Sequence, residues 1–250
     1  ANCTYSISYR IITAYSGQKT YPHTNPFPRM FPMGFLKKAL AAALDALFPR
    51  TCFGCGRKNE YICAECLGTA PPAEYTGMRD ALALFSYHTP AIKKALWTLK
   101  YRGGRELAAL FARELQPFIA ETVSEEALLR NFTKPLLIPI PLSKKRLRMR
   151  GFNHAALIAR ELARLSPDLE LSEDALVKHK DTKPQATIAN RTERLTNVRE
   201  CFSVPHPESV TGRNIVLVDD ITTTGGTLAE AKKVLRAAGA RRVIAFTVAH

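Results

Sequence analysis

Asn214-Ile215-Val216-Leu217-Val218-Asp219-Asp220-Ile221-Thr222-Thr223-Thr224-Gly225-Gly226-Thr227 is the stretch that decides the fold. Four apolar, mostly β-branched residues predict a buried parallel strand. Two carboxylates stand where that strand ends, and a Thr/Gly loop then opens a helix running to Ala238. Backbone N–H groups and the positive dipole end of a helix favour a phosphate, and glycine lets a ligand reach the main chain. The threonine hydroxyls add donors. Asp219 and Asp220 suit the vicinal hydroxyls of a ribose and the oxygen-seeking Mg²⁺ that accompanies its phosphates. The segment therefore predicts a phosphosugar cradle, with Thr222, Thr223, Thr224, Gly225, Gly226 and Thr227 on the phosphate.

Strand, two acids, then Thr-Thr-Gly-Gly-Thr resembles the phosphoribosyl pyrophosphate (PRPP) motif of the type I phosphoribosyltransferases. That resemblance implies an α/β fold, a Rossmann-like parallel sheet with helices on both faces. It also implies a loop for the 5′-phosphate, with Asp219 and Asp220 on the ribose as the expected catalytic pair. A receiver domain also has a strand ending in two Asp but needs a later acceptor Asp; 30 residues follow Asp220 and none is Asp. A Walker B strand needs a P-loop, and the chain has no Gly-Lys dipeptide.

The 250 residues allow one good-sized domain and a small appendage. Lys and Arg number 36 against 22 acids, for a net charge of +14, so anionic partners are expected: phosphates, pyrophosphate or nucleic acid. Cys52-Phe-Gly-Cys55 and Cys63-Ala-Glu-Cys66 form two C-x-x-C pairs seven residues apart. Four thiolates at that spacing predict a closed, structural Zn²⁺ site, the alternative being two disulfides. No secretory segment is evident, and a cytoplasmic location is expected.

Residues 1–33 lack acids and sustained periodicity, which predicts a disordered extension, with the functional protein starting near Met33. Residues 34–72 are expected to hold an amphipathic helix from Gly34 to Phe48, too short to span a bilayer, and the four-Cys module. No transmembrane segment is expected. Residues 78–250 form the phosphoribosyltransferase-like domain. Its expected elements are strands at 81–87, 136–140 and 176–179, helices at 90–99, 105–119 and 154–165 with Asn153 as N-cap, and the final strand-helix-strand unit at 215–249.

Ligands of open parallel sheets gather at the carboxyl ends of strands. The run after the 136–140 strand, Lys144-Lys145-Arg146-Leu147-Arg148-Met149-Arg150, has five basic residues and no acid. Lys144, Lys145, Arg146, Arg148 and Arg150 are candidates for pyrophosphate or a DNA backbone, the alternative being a solvated basic loop. Residues 180–185 with Arg191, Arg194 and Arg199 are a second candidate, a loop closing over the ligand. Phe202 is expected in the core rather than as an aromatic platform.

The four-Cys module, Leu99-Lys-Tyr-Arg-Gly103, Ile138-Pro-Ile-Pro-Leu-Ser-Lys-Lys-Arg146, Arg150-Gly-Phe-Asn153, Asp181-Thr-Lys-Pro-Gln185, Asn197-Val-Arg199 and the PRPP-like motif closely resemble, in that order, the ComF family of competence proteins. The resemblance covers about residues 34–250, and His154 stands where the family's pattern leads one to expect Gln. It implies an association with uptake of transforming DNA. Two classes of function stay open: a phosphoribosyltransferase-like protein binding PRPP or a related phosphosugar or nucleotide with Mg²⁺, or a non-catalytic component of DNA uptake. The second would bind single-stranded DNA or dock a helicase or other uptake protein.

Overall fold

The computed structural model describes residues 50–74, 77, 78, 80–102, 104–181, 198 and 200–250. The expected extension, the helix from Gly34 to Phe48 and most of the expected closing loop, with Arg191, Arg194 and Arg199, lie outside the described residues.

Five strands form a parallel sheet: β1 (Ala81–Phe85), β2 (Leu136–Pro139), β3 (Glu170–Leu171), β6 (Asn214–Ile221) and β7 (Arg242–Ala249), in the order β1-β7-β6-β2-β3. Short strands β4 (Val177–Lys178) and β5 (Phe202–Ser203) pair antiparallel outside it. The expected 176–179 strand is therefore in this small ribbon. Residues of the central strands are buried on both faces, as their continuous apolar runs predict.

Alternation along β6 divides the core. Val216 and Val218 join Leu137, Ile244 and Phe246 under α2 (Pro90–Arg102), α3 (Arg105–Arg130) and α5 (His154–Leu165), through Ile92, Leu96, Phe111, Leu115, Ile158 and Leu162. Ile215 and Leu217 join Ile138, Val243 and Ala245 beneath α6 (Gly226–Ala237), through Leu228, Ala231 and Leu235. Helices thus cover both faces, and each fully buried Leu or Ile side chain contributes ~1.5–3 kcal/mol. Val218 and Pro139 are register partners, so Asp219 and Asp220 near the end of β6 and the residues following β2 lie at one edge of the sheet.

The basic run, for which a solvated loop was the alternative reading, is α4 (Lys144–Arg150), a seven-residue helix. Ser143 caps it by accepting from Arg146 N at 3.3 Å, and Gly151 ends it at φ +79°, where a side chain would be strained. Lys, Arg, Leu and Met are good helix formers, so two local stop signals suffice to define it.

The four-Cys module precedes β1. Cys63 is the N-cap of α1 (Ala64–Gly68), and Ile62 and Leu67 are buried in the same cluster as Phe85, Ile92 and Leu96. The module is thereby seated on the main core. Among the described residues no helix is long and apolar enough to cross a membrane.

Candidate functional site

A cavity of about 390 Å³ opens at the carboxyl ends of β6 and β2. The loop Thr222–Thr227, Asp219, Asp220, Arg146 and Arg150 all line it. Gly225 adopts φ +73° as the N-cap of α6 and has no side-chain acceptor to offer, so the first-turn amides are left to a ligand. The Met78 side chain lies against Gly225 where a Cβ would project, a second reason for glycine there. Thr222 is anchored at the end of the sheet: its N–H donates to Ala249 O at 3.0 Å, and its O lies 3.2 Å from His250 Nδ1.

The two aspartates have different surroundings. Asp219 Oδ1 accepts from Asp220 N at 2.9 Å. Burial, and then the neighbouring Asp220 charge, push its carboxyl well above the usual range. Burial opposes charge on Asp220 too, but the Lys100 ammonium, with His154 beside it, outweighs that and holds this carboxyl well below the usual range. Lys100 Nζ is 2.5 Å from Asp220 Oδ2, and His154 Nε2 is 3.1 Å from Oδ1. Burial likewise works against the Lys100 charge, and Asp220 and Asp219 hold its ammonium above the ordinary range. Asp220 enters the site as a fixed anion and Asp219 as the acid whose charge a ligand's hydroxyl or cation would stabilise.

From sequence, Lys100 entered only as part of the Leu99–Gly103 motif and His154 only as a departure from the family's pattern, neither with a role at the aspartates. Lys100 is one of several lysines on α2, and its inward turn shows only in three dimensions. The signal for His154 was its place directly after the N-cap: Asn153 Oδ1 accepts from Ala155 N at 3.1 Å while its Nδ2 donates to Ile140 O at 3.0 Å. That tie to the end of β2 aims the next side chain at β6. His154, Asp219 and Asp220 place ligand atoms within 4.8 Å of one another, close enough for a cation by distance. Lys100 and the His154 ring already form ion pairs with Asp220, yet its buried Oδ2 has no hydrogen-bond partner of good geometry among the described residues.

Of the five basic candidates, Arg146 and Arg150, one helical turn apart, line the cavity, while Lys144, Lys145 and Arg148 face outward and are exposed. Lys178, unforeseen, lines it as well. Burial lowers Lys178 and Arg146 from their ordinary ranges, which an anionic ligand would reverse. Asp181 accepts from Ser143 Oγ at 2.6 Å, tying the start of the expected loop to the α4 cap. Phe202 is buried beneath Lys178, as expected of a core residue.

Trp97 and Tyr101 stand half-exposed on α2 with ring centroids 5.4 Å apart, Tyr101 at the lining of the cavity and Trp97 beyond it. Arg102 lies over Trp97 and Arg150 over Tyr101. Trp97 was missed because a lone Trp in an apolar helix reads as core.

The four cysteines converge: their sulfurs lie within 4.8 Å of one another, and Cys55 and Cys63 are 3.6 Å apart. Tetrahedral Zn–S bonds of about 2.3 Å put sulfurs ~3.8 Å apart, so the donor set fits that ion. At Gly54 a Cβ would stand 2.6 Å from Cys66 Sγ, so the knuckle requires glycine for the backbone to approach the thiols. Burial opposes the Cys52 thiolate, but backbone N–H groups around it bring the thiol down to about 6. Hydrogen bonding to Cys63 and Cys55, with burial, pushes Cys66 up to about 12. The five described cysteines are free thiols.

Residues 147–250 match the phosphoribosyl transferase domain family. The chain is 32% identical over 205 residues to competence protein ComFC of Bacillus subtilis, covering 78% of this chain and 75% of that one. It is 28% identical to the DNA utilization protein YhgH of Escherichia coli O157:H7, over 72% of this chain and 74% of that one. Among solved structures it is similar to a hypoxanthine phosphoribosyltransferase from Trypanosoma cruzi complexed with the product IMP, at 17% identity and TM-score 0.36. That match covers 57% of this chain and 63% of the other, less than two thirds of its length.

Proposed function

The chain belongs to the ComF family of competence proteins, and on that premise we propose that its cavity binds PRPP or a related phosphosugar or nucleotide. The carrying observation is the juxtaposition, at one edge of the sheet, of the Thr222–Thr227 loop, the Asp219–Asp220 pair and the Arg146 and Arg150 guanidinium groups. A 5′-phosphate would take the loop amides and threonine hydroxyls, and the ribose hydroxyls would donate to the aspartates. The pyrophosphate would lie toward Arg146, Arg150 and Lys178, where charge-assisted bonds are strongest.

Asp219 and Asp220 would face Mg²⁺, which would supply charge neutralisation for the pyrophosphate. If transfer occurs, the C1–O bond to pyrophosphate breaks with its electron pair leaving on the pyrophosphate. An acceptor nitrogen's lone pair forms the new C1–N bond, and its proton passes to solvent. The chain's contribution is positioning and electrostatic stabilisation of the leaving group. Zn²⁺ at Cys52, Cys55, Cys63 and Cys66 would have all four positions filled by protein, a structural arrangement.

Calorimetric titration of PRPP with Mg²⁺ into the protein and into the Asp219→Asn, Asp220→Asn double variant tests the reading. Binding by the parent that is lost in the variant supports it, and absence of binding by the parent refutes it.

The Trp97–Tyr101 pair favours a second reading, single-stranded DNA. Half-exposed rings with Arg102 and Arg150 beside them offer base stacking, and the outward Lys144, Lys145 and Arg148 follow a phosphate backbone. Trp97→Ala would then weaken oligonucleotide binding by ~1–3 kcal/mol while PRPP binding stays unchanged. Equal oligonucleotide affinity in both proteins would rule this surface out.

A further inference from the structure

One connected chain of side chains joins the basic and the acidic residues that line the cavity. Arg150 Nη2 donates to Tyr101 Oη at 3.4 Å, and Arg150 Nη1 lies 3.3 Å from His154 Nδ1. His154 Nε2 lies 3.1 Å from Asp220 Oδ1, whose other oxygen pairs with Lys100. A guanidinium has N–H donors and no acceptor, so His154 Nδ1 must accept and is bare. A neutral ring then carries its proton on Nε2, and the carboxylate oxygen in front of it can only accept. The two neighbours thus fix both the tautomer and the ring orientation. His154 itself is nearly inaccessible and does not reach toward open solvent, so this polar contact is its surroundings' demand rather than a surface accident.

We propose that His154 is the positioning residue of this site: a single bridge, one acceptor and one donor, that holds the Arg150 guanidinium and orients the Asp220 carboxylate. The inference rests on the phosphosugar reading for its ligand but not for its geometry. It follows that these two groups are set together. Loss of the bridge leaves the Arg150 guanidinium to its contacts with Tyr101, its Nε already lacking a hydrogen-bond partner among the described residues, and leaves Asp220 Oδ1 without the His154 donor. A carboxamide at the end of a chain of similar reach offers the same pair, a carbonyl oxygen facing Arg150 and an N–H facing Asp220. Glutamine should therefore replace His154 in function, whereas leucine, which fills similar volume, should not.

The test compares the parent, His154→Gln and His154→Leu for PRPP affinity with Mg²⁺ by calorimetry, with melting curves to establish folding. Long-range ¹H–¹⁵N NMR of the parent's imidazole reports its tautomer. The expected outcome is a Gln variant within about threefold of the parent and a folded Leu variant weaker by about tenfold to a hundredfold, the usual consequence of unpairing charged hydrogen-bond groups. The NMR spectrum should show Nδ1 bare and Nε2 protonated. Parent-like affinity in the folded Leu variant, or a Gln variant as weak as Leu, overturns the bridge. A proton on Nδ1 overturns it by itself, including when the Leu variant does not fold. Absence of PRPP binding by the parent is a different failure: it removes the phosphosugar reading, while the tautomer still decides whether the bridge exists.

Discussion

Replacing Lys100 by Met removes a cation from a buried pair and keeps most of its aliphatic volume. Lys100 Nζ lies 2.5 Å from Asp220 Oδ2, and the two side chains are 21% and 3% exposed. At an effective dielectric constant of about 20 that separation corresponds to ~7 kcal/mol of gross attraction. Desolvation offsets much of it, and truncating one member of such a pair costs ~3–5 kcal/mol. Two features place Lys100→Met at the low end: the His154 ring still faces Oδ1 at 3.1 Å, and the lysine is partly in contact with solvent. An upper bound comes from protonation. Neutralising a carboxyl of ordinary pKa at pH 7 costs about 4 kcal/mol, so the variant would take that route before losing more.

The expected loss is therefore about 3 kcal/mol at pH 7, read as a lower urea midpoint. Its pH dependence has a definite sign. In the parent the Asp220 carboxyl is held below its unfolded range, so its stabilisation is present above that range and is lost as pH falls through the lower folded value. The variant lacks this contribution, so the gap between the two proteins should narrow as the pH falls below the unfolded carboxylate range. A gap under about 1 kcal/mol at pH 7, too small for a broken buried pair, would refute the reasoning. So would a gap that widens on acidification.

Asp219→Asn should act in the opposite direction on stability. Burial and the Asp220 charge raise its folded pKa, so its contribution is full only below the ordinary carboxylate range and is lost as pH rises through the folded value. The amide should therefore raise the urea midpoint at pH 7, with the gain disappearing on acidification, while PRPP binding falls. Cys52→Ser should leave three thiols for the metal; zinc content by atomic emission should fall below about one per chain, with a lower melting temperature. Gly54→Ala should disturb the same site without removing a ligand, because the new Cβ meets Cys66 Sγ. Overpacking of that kind costs ~1–3 kcal/mol, seen as a lower melting temperature and faster loss of zinc to a chelator.

Much of the fold is local information. The run from Asn214 to Val218 could only be a strand buried on both faces, and the Thr/Gly loop marked the helix start that follows it. Asn153 announced the cap of α5, and two C-x-x-C pairs announced a thiol cluster, because ligand spacing and capping depend on residues a few positions apart. The basic run was legible as a charge cluster but not as a helix: its definition depends on a serine cap and a left-handed glycine that a five-cation stretch overshadows.

What sequence could not assign is which charges face inward. Lys100 and Asp220 are 120 positions apart, and nothing local distinguishes Lys100 from Lys93 or Lys94 on the same helix. The packing of α2 across the sheet chooses it, since only that rotation of the helix buries Ile92, Leu96 and Leu99 and thereby points Lys100 at the end of β6. His154 is selected in the same way, by Asn153 tying α5 to the end of β2. By itself, then, the sequence determined the central strands, the Thr/Gly loop that opens a helix and the thiol set, each written in nearby residues. Only the tertiary structure decided the ionisation of the two aspartates, because that depends on cations delivered by separate helices into a space with little water to screen them.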